Sequence, residues 1–473
     1  MEYITNYLSA GVDFANYYLW DILIILLLGV GILFTLTTGF VQLRLLPQSV
    51  KEIFKGSSKT NSNAITPFQA FATGLASRVG VGNIGGVAIA ISIGGPGAIF
   101  WMWVTALLGM SSAFAESSLA QLFKIKDNNG QYRGGPAYYI QRGLNQRWLG
   151  ILFALSLILA FGFVFNAVQS NSIVAATRIW NWNSHYVGLG LVLLSAPIIF
   201  GGIKRVARTA EKIVPIMAFL YLGLTVYIIM INLGKMPHVF GLIFDNAFGA
   251  KQAAGGIFGG LFSQAMLLGI KRGLFSNEAG MGSAPNAAAA AEVAHPVSQG
   301  LIQMLGVLVD TLIVCSATAV IILLSEVHLS TVGVEGVELT QAALKSEVGI
   351  WGSHFLAVVL FMFAFSSIIG NYAYAESNVQ FIKNDATILT IFRCMVLGMV
   401  YFGAVQKIDL VWNMADLSMG IMATINLIAI ALLAPLVWRL LADYQKQRRA
   451  GKEPKFDIKN HPDLRAKLGD DVW

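Results

Sequence analysis

The sequence predicts an all-α polytopic membrane protein of about eleven spans, ten of them forming two inverted sets of five. Three observations predict it. Charged residues make up 12% of the chain and hydrophobic residues 56%, with a mean hydropathy of +0.66. A soluble domain carries about 25% charged residues, so most of this surface faces something other than water. Lys and Arg gather in alternate loops. Two long apolar segments, one in each half, are interrupted by glycines and carry charge near mid-span.

The elements follow in order. Glu2 and Asp13 precede the first apolar run, 19–40, with no basic leader or clear cleavage site, so it reads as a span. Further spans are expected at 66–93, 97–122, 149–178, 184–202, 211–233, 255–283, 297–325, 352–382, 386–405 and 411–438. Loops 41–65, 124–148 and 203–212 are basic, with Arg44, Lys51, Lys55 and Lys59, then Lys124, Lys126, Arg133, Arg142 and Arg147, then Lys204, Arg205, Arg208 and Lys212. The tail adds Arg439, Lys446, Arg448, Arg449, Lys452 and Lys455. The opposite loops hold chiefly Lys235, Lys251, Lys345 and Lys407. The positive-inside rule puts the N-terminus outside and the C-terminus in the cytoplasm of a bacterial inner-membrane protein. An odd number of spans agrees. The domain reading is an extra helix and basic loop (1–60), a first repeat (61–240), a second repeat (241–440) and a cytoplasmic tail (441–473). Five is odd, so the second repeat is inverted.

The formal charge of +7 is read as loop charge rather than a nucleic-acid surface. Cys315 and Cys394 lie in apolar segments and read as small buried hydrophobes, not as a disulfide or metal site. No self-association face stands out, so a monomer is the default.

The first interrupted segment reads "RVGVGNIGG" at 78–86. It matches G-x-G-x-x-G, but no strand precedes it and no acidic residue follows before Glu116, so a dinucleotide turn is rejected. Clustered glycines weaken a helix, and freed backbone groups in a membrane are tolerable only around a cavity. Freed amides and a half-helix N-terminus suit a carboxylate; freed carbonyls with the Asn83 side-chain oxygen suit a monovalent cation such as sodium. Close helix packing is the plainer use of Gly94, Gly95 and Gly97. The second segment, "GIKRGLFSNEAGMG", sits at the matching place in the other half, the arrangement of a secondary transporter. Phe275, Ser276 and Asn277 are expected to follow its break and wall the substrate. Arg78, Lys271 and Arg272 need acidic partners or a cavity; Glu116, Glu278, Asp310, Glu376 and Asp416 are the candidates, and spacing does not pair them. Gln169 either bonds a neighbouring helix or faces the pocket.

"GGPGAIFWMWVTALLG" (94–109) resembles the signature of the alanine or glycine:cation symporter family, and "GIKRGLFSNEAGMGSAP" (269–285) resembles its second hallmark. The resemblance covers nearly the whole chain. It implies the leucine-transporter fold, no enzyme activity, and cation-coupled uptake of a small neutral amino acid, with sodium as co-transported ion and protons as the alternative. From the wider fold class, "VGVGN" (79–83) implies that Gly80 and Gly82 amides meet the substrate carboxylate and that Asn83 stands at the ion–substrate junction. A sodium site is implied at the Ala76 and Val79 carbonyls with the Ser366 and Ser367 hydroxyls. Family members commonly read like "GWxYYGE" where this chain has "GNYAYAE" (370–376), and "APNAAAAA" (284–291) lacks a histidine often seen there. Asn371 then makes a smaller, polar wall that would admit serine or glutamine besides alanine and glycine. A channel or a membrane oxidoreductase fits poorly, for want of repeated filter motifs or paired histidines.

Overall fold

A computed structural model describes residues 2–55, 64–127, 130–248, 263–330, 336–406, 408–468 and 472–473. Residues 255–262 of the expected seventh span, with Lys59, Lys251 and Lys407, lie outside the described residues. Among the described residues the regular structure is helical apart from one small hairpin, β1 (Ile125–Lys126) with β2 (Tyr132–Arg133), and an isolated bridge between Ile65 and Ala291.

Among the described residues, eight helices are long and apolar enough to cross a membrane, and a bent pair makes a ninth candidate. In chain order the elements are α1 (Glu2–Thr37), α2 (Leu46–Phe54), the bent pair α3 (Pro67–Arg78) and α4 (Gly82–Gly94), and α5 (Ala98–Leu122). Next come α6 (Pro136–Gly143), α7 (Arg147–Trp180), α8 (Ser184–Ile199), α9 (Gly202–Ile231) and α10 (Met236–Phe248). The second half holds α11 (Gln264–Asn277), α12 (Pro285–Ala290), α13 (Pro296–Ser325), α14 (Val337–Val348), α15 (Ile350–Ile382), α16 (Ala386–Val405) and α17 (Ile408–Leu432); α18 (Ala434–Arg449) opens the tail. The expected fifth span is the 16-residue α8, short of that length test, and the seventh is broken after α11. The count of eleven therefore still rests on the sequence.

Burial sorts the helices. α13 and α15 are 72% buried along their most apolar stretch and sit at the centre; α9 and α16 are 28% buried and line the perimeter. The extra helix α1 packs on α17 and α5, away from the centre. α5 packs along α13 and α11, and α15 packs against α3, α7 and α9. These contacts bring both interrupted segments to the middle of the bundle.

Candidate functional site

The first break is prepared locally. Thr66 and Gln69 cap α3 reciprocally, and Pro67 occupies its first turn. Regular helix stops at Arg78. It resumes at Gly82 as a wide turn of π type running to Gly86, with the axis bent by 48°. The glycines here answer a need for space. A Cβ on Gly80 would lie 2.3 Å from Ser367 Oγ and 3.0 Å from Gln169 Oε1; one on Gly82 would lie 2.9 Å from the Phe275 ring and 3.1 Å from Ser276 Cα. Only bare backbone fits between the two breaks.

The freed amides have side-chain acceptors. Gly80 N–H donates to Asn83 Oδ1 at 2.8 Å, and Val81 N–H donates to Gln169 Oε1 at 3.1 Å. Gln169 thus bonds a neighbouring segment, the first break itself. The Ser366 and Ser367 hydroxyls donate to the Ala76 carbonyl at 3.4 and 3.0 Å and share their protons with Phe363 O in their own helix. Ala76 therefore meets both serines across the α3–α15 seam. Val79 closes α3, its N–H returned to Leu75 O at 2.8 Å.

The second break lies later than the sequence reading put it. α11 begins at its cap Ser263 and stays helical to Asn277; the chain then turns through Glu278, Gly280 and Gly282 at φ 57, 82 and 84°. Phe275, Ser276 and Asn277 form the last turn before the break instead of following it. The earlier glycines serve packing: a Cβ on Gly269 would lie 2.4 Å from Ala98 O. Of the three positive φ values here, two fall on Gly280 and Gly282, which tolerate them without strain, and one on Glu278. Glu116 of α5 holds this loop, accepting from Gly280 and Gly282 N–H at 3.2 and 3.1 Å and from Asn426 Nδ2 at 2.7 Å.

Where the breaks meet, a polar knot forms around Asp310, in a widened turn of α13. Its carboxylate accepts from Asn83 Nδ2 at 2.6 Å, and from Ser276 and Thr311 hydroxyls at 2.8 Å each. Beside it an aromatic wall runs Phe165–Phe275–Trp412, with ring centres 4.6 and 4.8 Å apart. One turn earlier along α3, Ser77 donates to Glu278 Oε1 or Asn371 Oδ1, both at 2.7 Å, and Asn371 Nδ2 donates to Asn166 at 3.1 Å. Asn277 joins the Asp310 knot from outside, donating to the Thr311 hydroxyl at 3.2 Å. Each of Ala76, Val79, Asn83, Gln169, Phe275, Asn277, Ser366, Ser367 and Asn371 is at most 4% exposed, so the site is buried in this conformation.

The charges also find places. Arg272 pairs with Asp416 at 2.6 Å and lies over Trp412; Arg393 pairs with Glu376 at 3.3 Å; Lys271 sits over the Trp20 ring at 4.9 Å. Arg78 takes none of the candidate acids as an ion-pair partner among the described residues. It donates to Gln303 O at 3.0 Å, in a slot where a Cβ on Gly306 would come within 2.3 Å of its guanidinium.

Ser77, Phe165, Asn166, Thr311, Trp412 and Cys315, whose Sγ lies 3.3 Å from Asn83 Nδ2 and 3.2 Å from Ser276 Oγ, were not legible as site residues. Their partners are distant in sequence, as with Ser77 and Asn371, 294 positions apart. Trp412 and Asp416 do share a helix face at i, i+4, which was the one available signal.

Broken helices meeting at a buried polar centre, inside a multi-pass bundle, define a transporter rather than an enzyme. Residues 5–458 match the model of the sodium:alanine symporter family, and the chain belongs to that family. A Haemophilus influenzae protein described as an uncharacterized transporter is 60% identical, over 96% of this chain and 95% of its own length. A probable sodium/glutamine symporter of Bacillus subtilis, GlnT, is 50% identical over 95% of this chain and 94% of its own. A crystal structure of MhsT in complex with L-phenylalanine superposes with a TM-score of 0.52, covering 87% of this chain and 94% of that one at 14% identity. The fold is thus of the leucine-transporter type, and the protein is a multi-pass plasma-membrane protein.

Proposed function

We propose that the protein carries a small neutral amino acid into the cell with sodium, by alternating access. The observation that carries this reading is the contact of the two breaks, Gly82 against Phe275 and Ser276, beside an Ala76 carbonyl that faces Ser366 and Ser367. Amino-acid carboxylate and ammonium are matched by the amides near Gly80 and Gly82 and by the Gln169 and Asn83 side chains. Sodium is matched by the Ala76 and Val79 carbonyls, Ser366 and Ser367. Asn83 belongs to both groups, so each ligand favours the other's site. The basic loops support an outside N-terminus and a cytoplasmic C-terminus, and the repeats run 61–240 and 241–440.

Alanine and glycine are the base substrates of this reading. Asn371, bonded to Ser77 and Asn166, supplies a polar wall that extends it to serine and glutamine. The 50% identical relative is named for glutamine. Asn371→Trp should weaken glutamine competition at least tenfold relative to alanine; an unchanged selectivity profile would refute the assignment. A second reading, proton coupling, is favoured by the buried carboxyls of Glu278 and Asp310, neither ion-paired among the described residues. Uptake of radiolabelled amino acids into proteoliposomes, with sodium varied at fixed pH, separates the two. Sodium-independent uptake driven by a pH gradient would replace the sodium reading.

A further inference from the structure

A basic hollow of about 740 Å³ opens where α6, the start of α7 and the tail meet. Arg142, Arg147 and Lys467 line it, with Gln141, Asn145 and Ala466 as the other described lining residues, none of them acidic. No ion pair engages the three cations among the described residues. Arg142 gives one donor to Leu468 O at 3.1 Å and Lys467 gives one to Gly143 O at 3.3 Å. A guanidinium has five N–H donors and an ammonium three, so most stay available. Three like charges around one hollow repel, and an anion between them removes that cost.

The surroundings say which anion. Arg147 is the first residue of α7, where amide N–H groups are also free to meet an anion. Trp148 beside it is exposed, and so are Leu152, Leu155 and Leu159. Spacings of four, three and four place these on one helix face, and they run from the hollow into the lipid-facing wall of a membrane-spanning helix. An aromatic ring at the start of such a stripe suits the headgroup level. A soluble anion would use the cations and leave the stripe without a role; a phospholipid uses both.

We propose that this hollow binds the phosphate headgroup of an anionic phospholipid, its acyl chain lying along Trp148, Leu152, Leu155 and Leu159. Lys467 belongs to the tail and Arg142 and Arg147 to the membrane domain, so the lipid fastens one to the other. The site stands independently of the transported substrate and ion.

Native mass spectrometry of the full-length protein, released from nanodiscs of phosphatidylcholine with phosphatidylglycerol, tests this. The wild type is expected to keep a phosphatidylglycerol adduct in preference to phosphatidylcholine. Each basic residue near a membrane surface contributes about fivefold to anionic-lipid affinity. Arg147→Gln, at an exposed position that leaves folding intact, should cut retention by about that factor, and Arg142→Gln/Arg147→Gln/Lys467→Gln by well over tenfold. Equal retention in Arg147→Gln and the wild type would overturn the proposal. So would displacement of the lipid by millimolar inorganic phosphate, which would assign the hollow to a soluble anion.

Discussion

Ser366 and Ser367 each bridge two helices through one proton, which makes them sensitive reporters of the sodium reading. Ser367→Ala removes the closer of the two hydroxyls at Ala76 O and leaves the Gly80 and Val81 amides their acceptors, Asn83 and Gln169. Sodium half-saturation should rise at least tenfold, with the amino-acid KM at saturating sodium changed less than twofold. An equal change in both would place the serine at the substrate instead. Arg272 and Asp416 make a second residue-scale case. Both are at most 7% exposed along their side chains, and removing one partner of a buried pair leaves an uncompensated charge at about 3–5 kcal/mol. Asp416→Asn should lower the unfolding temperature in detergent strongly, and Asp416→Asn with Arg272→Gln should recover part of the loss. An additive result would show that the pair is not coupled.

Helices in this fold are set against one another by glycines, and the glycines differ by what a side chain would meet. Gly269→Ala drives a Cβ to 2.4 Å from the Ala98 carbonyl, so α11 must back away from α5; the expected cost is about 1–3 kcal/mol. Gly223, mid-way along α9, has nothing within 4 Å. Gly223→Ala should instead stabilise by up to about 1 kcal/mol through helix propensity. Thermal unfolding of the two variants side by side checks both signs. The same contrast explains what was legible at this scale. Long apolar runs and the glycine clusters at 80–86 and 269–282 are local signals, and the spans and both interruptions follow from them. The second break lies later than expected because not every glycine of its segment breaks the helix: Gly269 and Gly273 sit under Ala98, Met102 and Thr105 of α5. The Asp310 knot and the Arg78 slot were out of reach for another reason. They are fixed by which faces of α3, α11 and α13 meet, and no spacing within one segment encodes that.

Across the whole molecule, the tail is docked against the end of the bundle that carries the basic loops. Phe456 N–H donates to Ala294 O at 2.9 Å, Trp473 Nε1 donates to Leu122 O at 3.1 Å, and His461 stacks on Phe456 with ring centres 5.0 Å apart. Burial holds the His461 pKa below its ordinary 6.5; Arg439 lowers it further, while Asp443, Asp463 and Asp457 oppose that less strongly. The docked tail therefore favours neutral His461. Its contribution is complete above about pH 6.5 and is lost as the pH falls below the value of the undocked imidazole toward the lower docked one. Proteolytic clipping of the tail should accelerate between about pH 8 and pH 5, and His461→Phe should flatten that dependence. Glu116 has a consequence of another kind. One carboxylate gathers α5, the loop of the second break and α17, so these three are yoked. The α3–α15 seam is tied as well, by Ser77 to Asn371 and by the Ala76 carbonyl to Ser366 and Ser367, so the play needed for a transport cycle falls instead to apolar faces such as the stack of Phe165 on Phe275.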